Sequence, residues 1–318
     1  MAIFLSRALV LALLAQGTPT APPPGGDTLA RAQTDVTRDS TEARSWLAMG
    51  RAYLGVFDAS RSSRNASDTV WTRAILDTAD RALAQASALL GTAGTSAAGD
   101  TARLLRVRVW AGRAVTAWER GGLALGAQAW GPLPGDLRLS SVLEELGENL
   151  LRACPSGGVL FTAGDADSYA AWYMRFVRGL RPDLLVLPWA TWRSDSTLRA
   201  RALADLKLGR RKGDVAPASL EAVVERRPAC ASMAFPAPPE AHVRWEARPL
   251  VWVAAREEGE RVSSRDFVFV ALKPALDQAD PFAGTALALY ARAAGLAPAL
   301  CEALAAFQVA DAVAACRR

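Results

Sequence analysis

The pattern of apolar and polar positions changes its period part-way along the chain. In the first part, apolar residues recur every three or four positions, which is the period of an amphipathic helix. Helices are predicted there over 41–57, 70–90, 101–119 and 121–130. This spacing indicates a helical region over residues 41–135.

Further along, short apolar runs alternate with helical segments. The predicted helices are 139–153, 167–180, 195–208 and 217–226, and the predicted strands are 159–162, 184–188, 229–235, 251–254 and 267–271. Strands that alternate with helices favour a parallel sheet with right-handed crossovers. The expected fold class is therefore α/β. Helical hairpins would pack on a small three-layer, mostly parallel α/β domain over 136–280, followed by C-terminal helices over 281–318.

The first predicted helix carries a recognisable spacing of large and small residues. Trp46, Met49, Gly50 and Tyr53 fall on one face of it. This pattern resembles the first helix of a tetratricopeptide repeat, in which the small residue lets the next helix pack closely. The repeat period is not kept, and a plain helical bundle is the alternative. The resemblance implies a concave surface for a partner.

Residues 1–17 have the three parts of a secretory signal peptide. A basic Arg7 precedes a short apolar run, and small residues at Ala15 and Gly17 suit cleavage after Gly17. A membrane anchor is the alternative, but the run is shorter than the roughly 20 residues that span a bilayer. The Pro- and Gly-rich residues 18–40 are expected to form a disordered linker. The mature protein is thus predicted to be periplasmic or secreted, with no membrane span.

Composition and charge exclude several classes of protein. Hydrophobic residues make up 51% of the 318, which is too many for a disordered chain. The net charge of +5 is spread along the length, so no nucleic-acid partner is expected. No phosphate-binding glycine motif follows a predicted strand, and no nucleophile motif accompanies the single His242. No cofactor is predicted.

The chain contains four cysteines, and their spacing does not suit a zinc site. In an oxidising compartment an even number favours disulfides. Cys301 and Cys316 flank one helical stretch, whereas Cys154 and Cys230 each precede or begin a predicted strand. The pairs Cys154–Cys230 and Cys301–Cys316 are predicted, with buried reduced thiols as the alternative.

The candidate ligand-binding residues follow the first predicted strand. Ligands of open α/β sheets bind at the carboxyl ends of strands, where Asp165, Asp167 and Ser168 are expected to lie. The two carboxylates could cap the following helix, or they could hold a hard cation or a sugar hydroxyl. On the same helix, Trp172 and Tyr173 could belong to the core or form a platform on which a sugar ring stacks.

The stretch 155–254 shows an ordered set of motifs. Gly164-Asp165 ends a strand, Trp172-Tyr173 follows on the next helix, and Arg181-Pro182-Asp183 precedes the second strand. The stretch resembles the soluble C-terminal part of bacterial membrane proteins described as protein O-mannosyltransferase-like. Ala163 and Ala166 depart from the asparagines usual in that family. The membrane-embedded catalytic part of those proteins is missing here, so the resemblance implies a fold and not glycosyl transfer.

These observations predict an exported, non-catalytic binding or interaction protein of the bacterial cell envelope. Its expected partner is a protein or a glycan of the envelope. The alternative is a carbohydrate-active enzyme or a glycan-binding protein that uses the loop of Asp165 and Asp167.

Overall fold

A computed structural model describes residues 26–62, 69–129, 133–208, 215–254 and 266–317. The first part of the chain is helical. Its helices are α1 (Gly26–Arg38), α2 (Ala43–Ser62), α3 (Thr69–Leu89), α4 (Ala97–Gly121) and α5 (Leu123–Gln128). Apolar side chains spaced three or four residues apart bring α2, α3 and α4 together around Leu54, Leu83 and Leu105. This confirms a helical first part, while the tetratricopeptide repeat stays a prediction.

The expectation of a disordered linker over residues 18–40 is wrong for most of that segment. Residues 26–38 form α1, which packs against α2. The apolar face of α1 buries Ala32 and Val36, and the Gln33 side chain donates a hydrogen bond of 2.9 Å to the hydroxyl of Tyr53. Tertiary packing therefore stabilises a helix whose sequence neighbours are rich in proline and glycine. The signal peptide predicted over 1–17 lies outside the described residues.

The second part combines a five-stranded sheet with surrounding helices. Its strands are β1 (Val159–Thr162), β2 (Leu185–Pro188), β3 (Ala229–Ser232), β4 (Trp245–Arg248) and β5 (Val251–Ala254). Its helices are α6 (Ser141–Ala153), α7 (Asp165–Val177), α8 (Trp189–Ser194), α9 (Ser196–Asp205), α10 (Ala216–Val224), α11 (Leu272–Asp277), α12 (Ala283–Leu296) and α13 (Leu300–Ala306). The α/β class and the helical C-terminal end are thus as predicted.

The sheet is mixed and not mostly parallel as expected. Its order is β2-β1-β3-β5-β4, with β1 parallel to both β2 and β3. The pairs β3–β5 and β5–β4 are antiparallel. For the pair β4–β5 the reason is the connection between the two strands, which consists only of Pro249 and Leu250. So short a turn can join only antiparallel strands, since a parallel pair needs a long crossover.

One predicted strand, 267–271, is not a strand. Phe267 and Phe269 are buried and alternate with the more exposed Val268 and Val270, which gives the segment a strand-like pattern. A side chain and not a neighbouring strand satisfies its backbone. Asn149 on α6 accepts from the Val268 amide at 2.9 Å and donates to the Val268 carbonyl at 2.6 Å. The asparagine amide therefore takes the place of a strand partner.

Helix α4 belongs to two hydrophobic cores. Its Leu105 and Val109 face α2 and α3, whereas Leu104 and Val107 join the core that surrounds the sheet. Helix α7 packs between α4 and α6. At the crossing of α6 and α7, a side chain on Gly147 would overlap the backbone carbonyl of Ala170, so only glycine allows this close approach. The two parts of the chain thus meet along α4 and α7.

Both predicted disulfides are present. Cys154 at the end of α6 is bonded to Cys230 in β3, with their Cα atoms 5.8 Å apart. Cys301 and Cys316 close the C-terminal end, with a Cα separation of 5.4 Å. Two disulfides fit an extracellular or secreted protein. Among the residues described, none of the helices has the length and apolar character needed to cross a membrane.

Candidate functional site

The loop between β1 and α7 is built around Asp167. Its carboxylate accepts hydrogen bonds from the backbone amides of Ala163 at 2.8 Å and Gly164 at 2.7 Å. Gly164 is the N-cap of α7, so Asp167 in the first turn satisfies donors at the helix start. Burial raises the pKa of Asp167, and the hydrogen bonds from Ala163, Gly164 and the Ser232 hydroxyl oppose that rise. This carboxylate therefore holds the loop.

Ser168 also has a structural role. A hydrogen bond of 2.7 Å links its hydroxyl to that of Thr162, the last residue of β1. Both side chains are buried. Together with Asp167, this contact fixes the start of α7 against the end of β1. The sequence placed both residues at the carboxyl end of a strand, and the structure finds them there, turned inward.

Asp165, in contrast, is exposed at the first position of α7. It lies near Asp58 on α2, Arg108 on α4 and Tyr169 on α7, and we call these four residues the polar joint. Arg108 forms an ion pair with Asp58. Burial alone would lower the pKa of Arg108, but the negative charges of Asp58 and Asp165 and the Tyr169 hydroxyl raise it. Burial raises the pKa of Asp58, against the attraction of Arg108.

A second set of charges lies beside the polar joint. Arg61 at the end of α2 forms ion pairs with Glu119 on α4 and with Asp195, the N-cap of α9. Asp195 also accepts from the Leu198 amide at 2.9 Å. Attraction to the two carboxylates raises the pKa of Arg61, although burial opposes it. One guanidinium thus ties the helical part to the α/β part.

Both residues of the aromatic pair Trp172-Tyr173 belong to the core around the sheet, although Trp172 keeps 5% of its surface exposed. Tyr173 is fully buried in the core, so it cannot serve as a sugar platform. Trp172 follows Asp165 and Tyr169 along the face of α7 that meets α4, at intervals of three or four residues. Its ring contacts that of Phe176, with centroids 5.1 Å apart. Trp172 forms part of the wall of a cleft.

The cleft opens where α4, α5, α7 and β2 meet, and its volume is about 430 Å³. We call it the aromatic cleft. It is lined by Ala114, Val115, Trp118, Gly126, Trp172, Arg175, Phe176, Pro182, Leu185 and Val186. The walls are thus mainly apolar, and a single charged residue, Arg175, is among these lining residues. Small-molecule sites are commonly concave, largely apolar and of roughly 300–1,000 Å³.

Arg175 is held firmly but carries an unbalanced charge. Its guanidinium donates to the carbonyls of Leu184 at 2.6 Å and Pro182 at 2.9 Å, and it lies 4.3 Å from the centroid of the Phe176 ring. No carboxylate among the described residues forms an ion pair with it. Burial lowers the pKa of Arg175, and the more distant Asp183 only partly opposes this effect. Asp183 is itself paired with Arg181 at 2.9 Å.

Sequence reasoning missed Arg175 and Trp118 as possible site residues. Trp172, Arg175 and Phe176 are spaced three and four residues apart, so a helical stripe was visible. Trp118 belongs to α4, however, and nothing local shows that it faces α7. Within the described part of the chain, no group of three or more His, Cys, Asp or Glu side chains is arranged to hold a metal ion.

Comparison with known proteins gives one match. The model of a protein family described as TMEM260-associated domain 2 matches residues 143–195. The matched stretch begins in α6 and ends at Asp195, so it includes the loop after β1 and the α7 wall of the aromatic cleft. No curated protein matches the chain. No solved structure matches it either.

Proposed function

We propose that this chain is an exported, non-catalytic binding protein of the bacterial cell envelope, and that it holds its ligand in the aromatic cleft. The observation that carries the proposal is the cleft itself, with a volume of about 430 Å³ and the rings of Trp118, Trp172 and Phe176 in its walls. Its size and apolar lining suit a small ligand or one inserted group of a larger partner. A protein or a glycan of the envelope remains the expected source of that group.

The state of the candidate acidic residues supports binding over catalysis. General acid–base chemistry needs a positioned group that is within reach of the substrate proton. The Asp167 carboxylate is buried and bonded to two backbone amides, so it is turned away from any ligand. Asp165 alone faces solvent, and the nearby Arg108 pairs with Asp58. Export is supported by the two disulfides and by the signal-peptide pattern at residues 1–17.

The test is to fill the cleft. Val115→Trp would place a large ring in it, and Val70→Trp makes the same change at a helical position that is 79% exposed. The mature chain and both variants would be titrated by calorimetry with envelope glycans and peptides. We expect a ligand that binds the native chain and Val70→Trp but not Val115→Trp. A panel without any binding, or equal binding by Val115→Trp, would contradict the proposal.

The alternative is a carbohydrate-active enzyme or a glycan-binding protein that uses the loop of Asp165 and Asp167. The observation in its favour is the exposed position of Asp165, at the carboxyl end of β1 and close to Arg108. Titration with calcium, manganese and simple glycans would be combined with an assay for glycan cleavage. Turnover that disappears in Asp165→Asn would support the enzyme and exclude the non-catalytic proposal, and binding that disappears in Asp165→Asn would place the ligand at the loop and not in the aromatic cleft.

A further inference from the structure

We infer that the aromatic cleft selects a small amphiphilic anion, which is a molecule with an apolar ring or chain and one acidic group. The inference rests on the proposed function, because it names the class of ligand for the same cleft. The acidic group would be a carboxylate, a sulfonate or a phosphate that contacts Arg175. The apolar body would lie against the apolar wall of the cleft, where Phe176 and Leu185 are only half-buried.

The walls of the cleft account for the apolar body of the ligand. Phe176 and Leu185 are half-buried and leave apolar surface for a ligand, whereas Trp118 on α4 and Trp172 on α7 also line the cleft but are only 4% and 5% exposed. Burying apolar surface contributes about 25 cal/mol per Å². Aromatic walls also favour flat rings, which stack or meet edge to face. A strongly hydrated sugar without an apolar face would gain little from these walls.

The charge of Arg175 accounts for the acidic group. Two of its N–H groups donate to the carbonyls of Pro182 and Leu184, and these bonds aim the guanidinium without neutralising it. A charge that is partly removed from water and has no ion-pair partner is costly. An anion in the cleft would supply that partner through a charge-assisted hydrogen bond.

Three arginines of the helical part are paired with carboxylates of the same chain. Arg61 pairs with Glu119 and Asp195, and Arg108 pairs with Asp58. Arg106 likewise pairs with Asp80 at 3.1 Å and with Asp136 at 2.5 Å. Arg175 lacks such a carboxylate among the described residues, although it lines the wall of the aromatic cleft. Arg292 is also bonded only to backbone carbonyls among the described residues, but Arg175 lines the cleft, where an anionic ligand would supply the negative charge.

The inference can be tested with two fluorescent probes that differ by one charged group. 8-Anilinonaphthalene-1-sulfonate carries a sulfonate, and N-phenyl-1-naphthylamine has the same ring system without it. With the full mature chain, we expect the sulfonate probe to bind about tenfold or more tightly, as one charge-assisted hydrogen bond provides. We expect Arg175→Met to remove that preference and Arg175→Lys to keep most of it. Circular dichroism and urea unfolding would verify that each variant is folded.

Each outcome decides between the inference and the proposed function. Val115→Trp should abolish the binding of both probes, while Val70→Trp should leave it unchanged. If the native chain binds both probes equally and Val115→Trp blocks them, the cleft is a ligand site without charge selection, and only the inference fails. If Val115→Trp leaves the binding of both probes unchanged, or if neither probe binds, the cleft is not the site, and the proposed function fails as well. Because the probe comparison uses the native chain, it holds even if an Arg175 variant does not fold.

Discussion

Helix α7 meets α4 at both of its ends, and the two ends treat charge in opposite ways. At its start, the polar joint brings Asp58, Arg108 and Asp165 together, and the arginine is neutralised by carboxylates of the same chain. Towards its end, the aromatic cleft contains Arg175, whose guanidinium contacts carbonyl groups and a ring but forms no ion pair within the described part of the chain. The two regions are separated by less than three turns of one helix.

The difference indicates where to look for function in a chain without an obvious catalytic motif. A charge that the chain pairs with its own carboxylates contributes to the joining of its parts. A charge left unpaired in a concave, apolar site is available to a ligand. The loop after β1 contains the acidic residues that the sequence indicated as candidates, but the Asp167 carboxylate is bonded to backbone amides and serves the fold. The candidate ligand site lies two turns further along α7.

The largest loss of unfolding free energy should come from removing an arginine that is paired with carboxylates of the same chain. Arg61→Met would leave Glu119 and Asp195 without their shared cation, and both carboxylates are mostly buried. Breaking a buried pair in this way costs about 3–5 kcal/mol of unfolding free energy. Urea denaturation would measure it. Arg38→Met is the control, because its ion pair with Asp35 is exposed, and its cost should be below about 1 kcal/mol. Equal losses in both variants would refute the role given to Arg61.

The second-largest effect on stability is a pH dependence that comes from Glu145, a buried carboxylate. Glu145 on α6 is buried and accepts from the Ala271 amide at 2.5 Å, but no cation faces it among the described residues. Burial raises the pKa of Glu145 to about 7. Its neutral form therefore fits the folded state better than its charged form. The resulting stability is fully present below the ordinary pKa of about 4.5, and it is lost as the pH rises through about 7.

The pH dependence can be measured as the urea midpoint between pH 5 and pH 8.5. The native chain should lose up to roughly 3 kcal/mol over this range, since each pKa unit corresponds to about 1.4 kcal/mol. Glu145→Gln should flatten the profile and be the more stable form at the alkaline end. An unchanged profile in Glu145→Gln would show that Glu145 is not the titrating group.

A smaller effect separates the two aspartates of the loop after β1. Asp167→Ala would leave the amides of Ala163 and Gly164 without their acceptor, at a cost of about 1–3 kcal/mol. Asp165→Ala changes an exposed residue and should stay within about 0.5 kcal/mol. Thermal and urea unfolding of the two variants would test this contrast. A greater loss in Asp165→Ala would reverse the roles assigned to the two residues.

The smallest change in unfolding free energy is expected from replacing Arg175, which has no carboxylate partner among the described residues. Arg175→Met removes two hydrogen bonds to carbonyl groups, and it also removes a charge that burial disfavours. Because these contributions oppose each other, the unfolding free energy should change by less than about 1 kcal/mol. The same substitution at Arg61 should cost several times more. A loss as large as that of Arg61→Met would show that Arg175 serves the fold and not a ligand.

The helices were largely predictable from the sequence, because their apolar spacing is local. The segment predicted over 70–90 is observed as Thr69–Leu89, and the one over 139–153 is observed as Ser141–Ala153. Helix α1 was missed because the adjoining Pro22 to Gly26 dominated the interpretation, although Leu29, Ala32 and Val36 already formed an apolar stripe. The proline- and glycine-rich composition of this segment was therefore given more weight than its helical spacing of apolar residues.

The strands were less predictable, because their pairing is not local. Strand β4 has the sequence Trp-Glu-Ala-Arg and is only half-buried, so no apolar run marked it. In residues 267–271 the pattern was right for a strand, yet Asn149 supplies the hydrogen bonds instead. The aromatic cleft could not be predicted from the sequence for the same reason, because it depends on how α4 packs against α7. The two disulfides were predicted correctly because the even number of cysteines and their places next to predicted elements favoured the pairs Cys154–Cys230 and Cys301–Cys316.

Gly147 has a consequence for both ends of α7. Because no side chain fits between this residue and Ala170, the two helix backbones touch, and α7 rests directly on α6. A methyl group at position 147 would overlap the Ala170 carbonyl, so α6 and α7 would have to separate. Since α7 also packs against α4, we expect Gly147→Ala to disturb the polar joint and the aromatic cleft together. Gly147 does not line the aromatic cleft, but by allowing α7 to lie directly on α6 it helps to determine the width of the cleft.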